Sequence, residues 1–183
     1  MRTENVEKVE MMSREQFDAS KFGDLISANS EYSKTFKYSE LTGSAARGLA
    51  IVTCMDSRIN PLSVVGMRSG DAKILRNAGA RVTEDVLRTL VLATYLLNVD
   101  RILVMPHTDC RMAQSEESSL HEEIDSKYGV DTRSLEFRVT KDQEQALKSD
   151  LTRIRSYPLI REGVSVAGAI YDVKTGKIDF KSF

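Results

Sequence analysis

Cys54, His107, Cys110 and His121 are all the cysteines and histidines in this 183-residue sequence, and they carry its capacity for metal or thiol chemistry. A single cysteine is most often a small buried apolar residue. The start of the chain, MRTENVEKVEMMSREQF, mixes acids and bases and has no continuous apolar segment, so a secretory signal is not expected. Without one, a structural disulfide has little use, and the thiols are expected to be free, metal-bound or redox-active. Cys54, His107 and Cys110 form a Cys₂His set, one protein ligand short of the closed shell of a structural zinc site. His107-Thr108-Asp109-Cys110 has H-x-x-C spacing, which lets both side chains reach one ion from a single turn. An open fourth position marks a catalytic zinc, where water binds. A Cys54–Cys110 disulfide in metal-free protein is the competing thiol chemistry. A cysteine phosphatase would need a wider Cys-to-Arg spacing than the three residues between Cys54 and Arg58. His121, beside Glu122 and Glu123 in a polar stretch, is expected to be solvated.

Cys54-Met55-Asp56-Ser57-Arg58 adds a second feature. Residues two apart in an extended segment share a side, so Asp56 and Arg58 can pair and hold the carboxylate ionised and aimed. Elsewhere such a pair would be an ordinary salt bridge. Two residues from a candidate ligand, it is expected to serve the site.

These residues must be brought together by the elements around them. Leu49–Thr53 (LAIVT), Ala72–Leu75 (AKIL) and Arg101–Met105 (RILVM) are short apolar runs that suit buried strands. Leu135–Val139 reads as a further strand, and the VSVAGAIYDVKTGKIDF end as a strand, a Thr175-Gly176 turn and an edge strand. Pro61 opens a short helix over about 62–67. Thr83 caps the most apolar helix, which runs to about Asn98 and should be largely covered. Ser115–Tyr128 is a polar helix closed by Gly129, and Thr140 and Gln143 form a capping box for a helix to about Arg155. Apolar residues recur at helical intervals through 4–38, from Val6 and Val9 to Leu25 and Ile26, which predicts one or two amphipathic helices. Strands alternating with helices imply an α/β fold: a single domain with a mostly parallel central sheet flanked by helices and an N-terminal helical arm. In such sheets, sites form outside the carboxyl ends of strands, where Cys54, His107 and Cys110 all fall.

Composition narrows the field further. Lys and Arg (26) nearly balance Asp and Glu (27), so nothing electrostatic argues for nucleic acid or an anionic membrane. No apolar run approaches the roughly 18 residues of a membrane helix, and a cytoplasmic protein is expected.

At these residues the chain resembles the β-class carbonic anhydrases, which carry C-x-D-x-R followed by H-x-x-C. The likeness extends to Arg76-Asn77-Ala78-Gly79, to Leu90–Thr94 and to Gly168–Val173 with Thr175-Gly176, and so spans most of residues 49–176. Residues 1–38 match only in being helical. The resemblance implies one domain over 1–183, with 1–38 as a helical arm and 49–176 as the core. It implies one zinc per subunit on Cys54, His107 and Cys110, with Asp56 and Arg58 as the catalytic dyad beside it. In the family the aspartate either accepts a hydrogen bond from zinc-bound water or itself takes the fourth zinc position, giving an inactive form. The implied reaction is reversible hydration of carbon dioxide to bicarbonate through zinc-bound hydroxide, in a homodimer or dimer of dimers whose N-terminal helices reach over the partner. Val64, Val65 and partner aromatics are expected around the substrate. The sequence departs from the family at Arg111, where a glycine usually follows the second cysteine. A glycine there would allow a positive φ or leave room near the metal. Hydrolysis of carbonyl sulfide or carbon disulfide on the same residues, and a non-catalytic zinc protein, are the rival readings.

Overall fold

Strand β1 (Leu49–Cys54) is buried along its whole length, as its unbroken apolar run requires. In the computed structural model, which describes residues 19–183, it pairs in parallel with β2 (Ala72–Asn77) on one side and β3 (Arg101–Met105) on the other. Strand β4 (Ser165–Tyr171) adds in parallel to β3, and β5 (Ile178–Lys181) closes that edge antiparallel. The order is therefore β2-β1-β3-β4-β5. The chain moves outward from β1 to β2, then crosses back over β1 to β3. This reversal leaves a crevice beyond the carboxyl ends of β1 and β3, where ligands bind in open α/β sheets.

Side-chain alternation sends β1 and β3 residues to both faces of the sheet. Ala50, Val52, Ile102 and Val104 meet the helices Glu84–Leu96 and Gln143–Arg155, through Val86, Leu87, Leu90, Leu147, Leu151 and Ile154. The opposite face gathers Leu49, Ile51, Leu103, Met105 and Ala169, and both cysteines belong to this second cluster. Close approach fixes the first face. A Cβ at Gly168 would lie 2.7 Å from Leu151 Cδ1 and 3.2 Å from both Leu147 methyls, so any larger residue must displace these leucines for helix Gln143–Arg155 to sit this near β4.

Thr83 caps helix Glu84–Leu96, its hydroxyl accepting from Val86 N, and Gly129 ends helix Glu117–Tyr128 in the left-handed conformation. Both match expectation. Leu92, Tyr95 and Leu96 nevertheless stay exposed, so the apolar stripe of helix Glu84–Leu96 is wider than this chain covers. Strand β2 runs two residues past the expected Leu75, through Arg76 and Asn77, and a tight turn begins at Ala78. The proline-started helix is shorter than expected and spans Pro61–Val64.

Leu135–Val139 is not a strand. The amides of Phe137 and Val139 bond the Glu117 carboxylate in place of a neighbouring strand, and Arg138 adopts a φ of 61° that breaks an extended run. The following helix is capped by Asp142, which accepts from Gln145 N at 2.9 Å, while Thr140 is spent on the Asp142 carbonyl. His121 is buried, not solvated. Its Nδ1 lies 2.8 Å from Thr132 Oγ1 and its ring packs 5.1 Å from that of Phe137, both on the segment that folds back over its helix.

Among the described residues, 19–40 form a unit of their own. A helix spans Gly23–Lys34 and buries none of its residues, leaving Leu25, Ile26 and Tyr32 exposed. The expected apolar positions Val6, Val9, Met12 and Phe17 lie outside the described residues. Among the described residues, no helix is long and apolar enough to cross a membrane.

Candidate metal centre

Thr53 stands opposite Met105 in the β1–β3 register and donates its hydroxyl to the Met105 carbonyl at 2.7 Å. One residue further on β1 is Cys54, and two residues past the end of β3 is His107. The crevice thus brings together residues that are far apart in sequence. Past Cys54 the loop is pinned from β2: Arg76 donates to the carbonyls of Cys54 (2.9 Å) and Asp56 (2.6 Å), and Met55 N donates to Asn77 O. Past β3, Thr108 N donates to Tyr171 O and Tyr171 N to Pro106 O, while Gln143 Nε2 donates to the His107 carbonyl. Asp109 takes a φ of 57°, which folds the H-x-x-C turn back so that Cys110 faces Cys54.

Cys54, His107 and Cys110 are buried, and their ligand atoms all lie within 4.8 Å of one another. That is close to the span one ion bridges with bonds of about 2.0–2.3 Å. His107 Nδ1 lies 2.8 Å from the Thr108 carbonyl, a pure acceptor, so the proton sits on Nδ1 and the lone pair on Nε2. Nε2 is buried with no hydrogen-bond partner, the one such side-chain nitrogen or oxygen among the described residues. A buried lone pair left empty is costly. Beside two thiols, it fits a zinc ligand set. The Cys54 thiol is held far below its ordinary range by the hydrogen bond from Cys110, with burial opposing. Cys110 is pushed up by that same bond and by burial.

Asp56 and Arg58 pair closely. Arg58 Nε and backbone N donate to Asp56 Oδ1 at 3.0 and 2.9 Å, and Nη2 donates to Oδ2 at 2.7 Å. Those hydrogen bonds hold the Asp56 carboxyl well below the usual carboxylate range. Asp56 Oδ2 lies 3.8 Å from His107 Nε2, which puts the carboxylate at the edge of the ligand set.

A cleft of about 600 Å³ opens over these groups, lined also by Met55, Ala78, Arg111 and Met112. Val64 and Val65, expected around the substrate, do not line this cleft; they pack against the second core cluster, which contains Cys54 and Cys110. Arg111 is the first residue of helix Arg111–Gln114, and its guanidinium pairs with Glu123. The positive φ of this turn falls on Asp109, so the turn itself demands no glycine at 111. Asp109 and Gln143 were given no role in the site from the sequence, and Arg76 entered only within the Arg76-Asn77-Ala78-Gly79 likeness. Each acts through contacts between distant segments.

The carbonic anhydrase family profile matches residues 49–178. The chain is 32% identical over 157 residues to Beta-carbonic anhydrase 1 of Mycobacterium tuberculosis, covering 85% of this chain and 94% of the relative. It is 29% identical over 157 residues to a carbon disulfide hydrolase of an Acidianus strain, covering 72% and 76%. The solved structure of carbonic anhydrase from Streptococcus mutans superposes with a TM-score of 0.83 at 35% identity, covering 92% of this chain and all 100% of that one. A fold with its crevice between β1 and β3, a buried Cys-His-Cys set and these likenesses agree: the chain belongs to the β-carbonic anhydrases, zinc enzymes that interconvert carbon dioxide and bicarbonate.

Proposed function

We propose that one zinc per subunit is held by Cys54 Sγ, His107 Nε2 and Cys110 Sγ, and that Asp56 and Arg58 are the groups that orient the attacking water for hydration of carbon dioxide. The observation that carries this reading is the buried, partnerless His107 Nε2 beside two thiols and 3.8 Å from Asp56. Zinc, when bound, supplies a Lewis acid that acidifies water to a pKa of about 7. Asp56, kept anionic by Arg58, accepts a hydrogen bond from the attacking water at Oδ2 and turns an oxygen lone pair toward the carbon of the substrate. Arg58 engages both Asp56 oxygens, which favours the arrangement with Asp56 facing water rather than ligating the metal. Met55, Ala78 and Met112 give the cleft apolar surface suited to a small nonpolar gas. The proton leaves through the open cleft to buffer.

A single domain over 1–183, with 49–176 as its core and residues 1–38 as an arm laid over a second copy, is the organisation we favour. The exposed Leu25, Ile26 and Tyr32 of helix Gly23–Lys34 and the exposed Leu92, Tyr95 and Leu96 support a homodimer or dimer of dimers. The free buried thiols suit a reducing compartment, and we assign the protein to the cytoplasm. The likeness to a carbon disulfide hydrolase supports carbon disulfide or carbonyl sulfide as the second substrate class. Metal analysis, followed by stopped-flow hydration of carbon dioxide beside carbon disulfide hydrolysis, tests the reading. Stoichiometric zinc with rapid hydration is expected; hydrolysis without hydration would replace carbon dioxide by the sulfur substrates.

A further inference from the structure

Asp109 lies between two candidate ligands, and its side chain points to neither of them. Its Oδ2 accepts Arg58 Nη1 at 2.8 Å, its carbonyl accepts Arg58 Nη2 at 3.2 Å, and its Oδ1 accepts Gln114 Nε2 at 2.9 Å. The opposite edge of the same guanidinium holds Asp56, through Nε at 3.0 Å and Nη2 at 2.7 Å. Arg58 is therefore a flat plate clamped on both edges, and Asp56 and Asp109 are its hydrogen-bond partners among the described residues. The clamp is needed because the Arg58 side chain is 45% exposed and intrinsically free to turn. The H-x-x-C turn itself does not depend on the Asp109 carboxylate. Tyr171 holds it through Thr108 N, Gln143 through the His107 carbonyl, and Val173 N through Thr108 Oγ1 at 3.2 Å.

We propose that Asp109 is a positioning residue: by binding the outer edge of Arg58 it fixes the guanidinium plane that aims Asp56 at the reacting water. The inference rests on the reading of Asp56 and Arg58 given above. It also assigns the C-x-D-x-R loop and the H-x-x-C turn to one rigid unit, joined through Arg58.

Asp109→Gly removes the carboxylate and keeps the left-handed backbone unstrained. Asp109→Asn keeps both an acceptor and that backbone preference. On zinc-loaded protein, Asp109→Gly should keep full zinc and an unchanged KM while kcat falls about fivefold, what a half-exposed ion pair can carry. The ¹⁵N signal of Arg58 Nε–H should exchange faster with solvent in this variant, and Asp109→Asn should restore most of both readouts. In the Arg58→Gln background, Asp109→Gly should cost nothing more. An unchanged kcat and exchange rate, a zinc loss that matches the activity loss, or the same fivefold cost without Arg58 would overturn the inference. Full activity of Arg58→Gln alone would overturn the underlying reading of the dyad, and this inference with it.

Discussion

Replacing Asp56 by asparagine keeps the side chain's shape and changes what it can accept. Oδ1 takes two donors from Arg58, the backbone N at 2.9 Å and Nε at 3.0 Å, and Oδ2 takes Nη2 at 2.7 Å. An asparagine that satisfies the first two sets its amide NH₂ against Nη2, so two donors face each other. The alternative flip leaves the two Oδ1 donors facing the amide instead. The first orientation loses one charge-assisted bond and the second loses two. In the first orientation the acceptor for the reacting water is lost as well, and in the second a neutral amide oxygen replaces the carboxylate there; removing a positioned proton acceptor costs about 10²–10⁴ in rate. We therefore expect kcat/KM for carbon dioxide hydration to fall at least about a hundredfold. Zinc content should not change, because Asp56 is outside the three-ligand set. Stopped-flow hydration with a pH indicator, paired with metal analysis of the same sample, measures both. Activity within about threefold of the parent would refute the reasoning, since a group aimed at the reacting water cannot be neutralised so cheaply. So would loss of zinc.

Other outcomes can be checked in parallel. His107→Ala, Cys54→Ala and Cys110→Ala should each abolish zinc retention and activity together, measured by metal analysis after dialysis against a chelator. Gly168→Ala must push Leu151 and Leu147, both wholly buried, and overpacking of that kind costs about 1–3 kcal/mol. The melting temperature should fall by about 2–4 °C per kcal/mol in a chain of this size, and an unchanged melt would show that the two leucines repack freely. Arg111→Gly should leave the rate unchanged or raise it, because it trims the cleft wall and removes an exposed pair of small worth while Lys127 still holds Glu123. A collapse in kcat/KM would give Arg111 a function of its own.

Much of the site was legible from residue order because the fold class dictates where strand ends point. The apolar runs at Leu49–Thr53 and Arg101–Met105 have no polar face and so had to be central strands, which put Cys54 and His107 on one edge of the sheet. The Asp56–Arg58 pair was equally legible, since both partners lie within one short segment. What was missed depends on contacts across the chain. Leu135–Val139 has strand composition, yet Glu117 reaches back from an earlier helix and takes its amides. His121 sits in a polar stretch, yet that same returning segment covers it with Thr132 and Phe137. Gln143, which grips the H-x-x-C turn, acts on a backbone carbonyl and leaves no trace in side-chain patterns.

The pairing of Thr53 with Met105 has a consequence for anyone wishing to move this centre elsewhere. A zinc finger travels as a peptide because its donors sit on one short hairpin and helix. Here the donors are the free ends of two neighbouring staves, braced by a third and by a distant helix. Grafting the two short motifs into a foreign loop would carry the right atoms without the frame that spaces them. The smallest portable unit is the sheet itself, which is why the chemistry and the architecture must be inherited together.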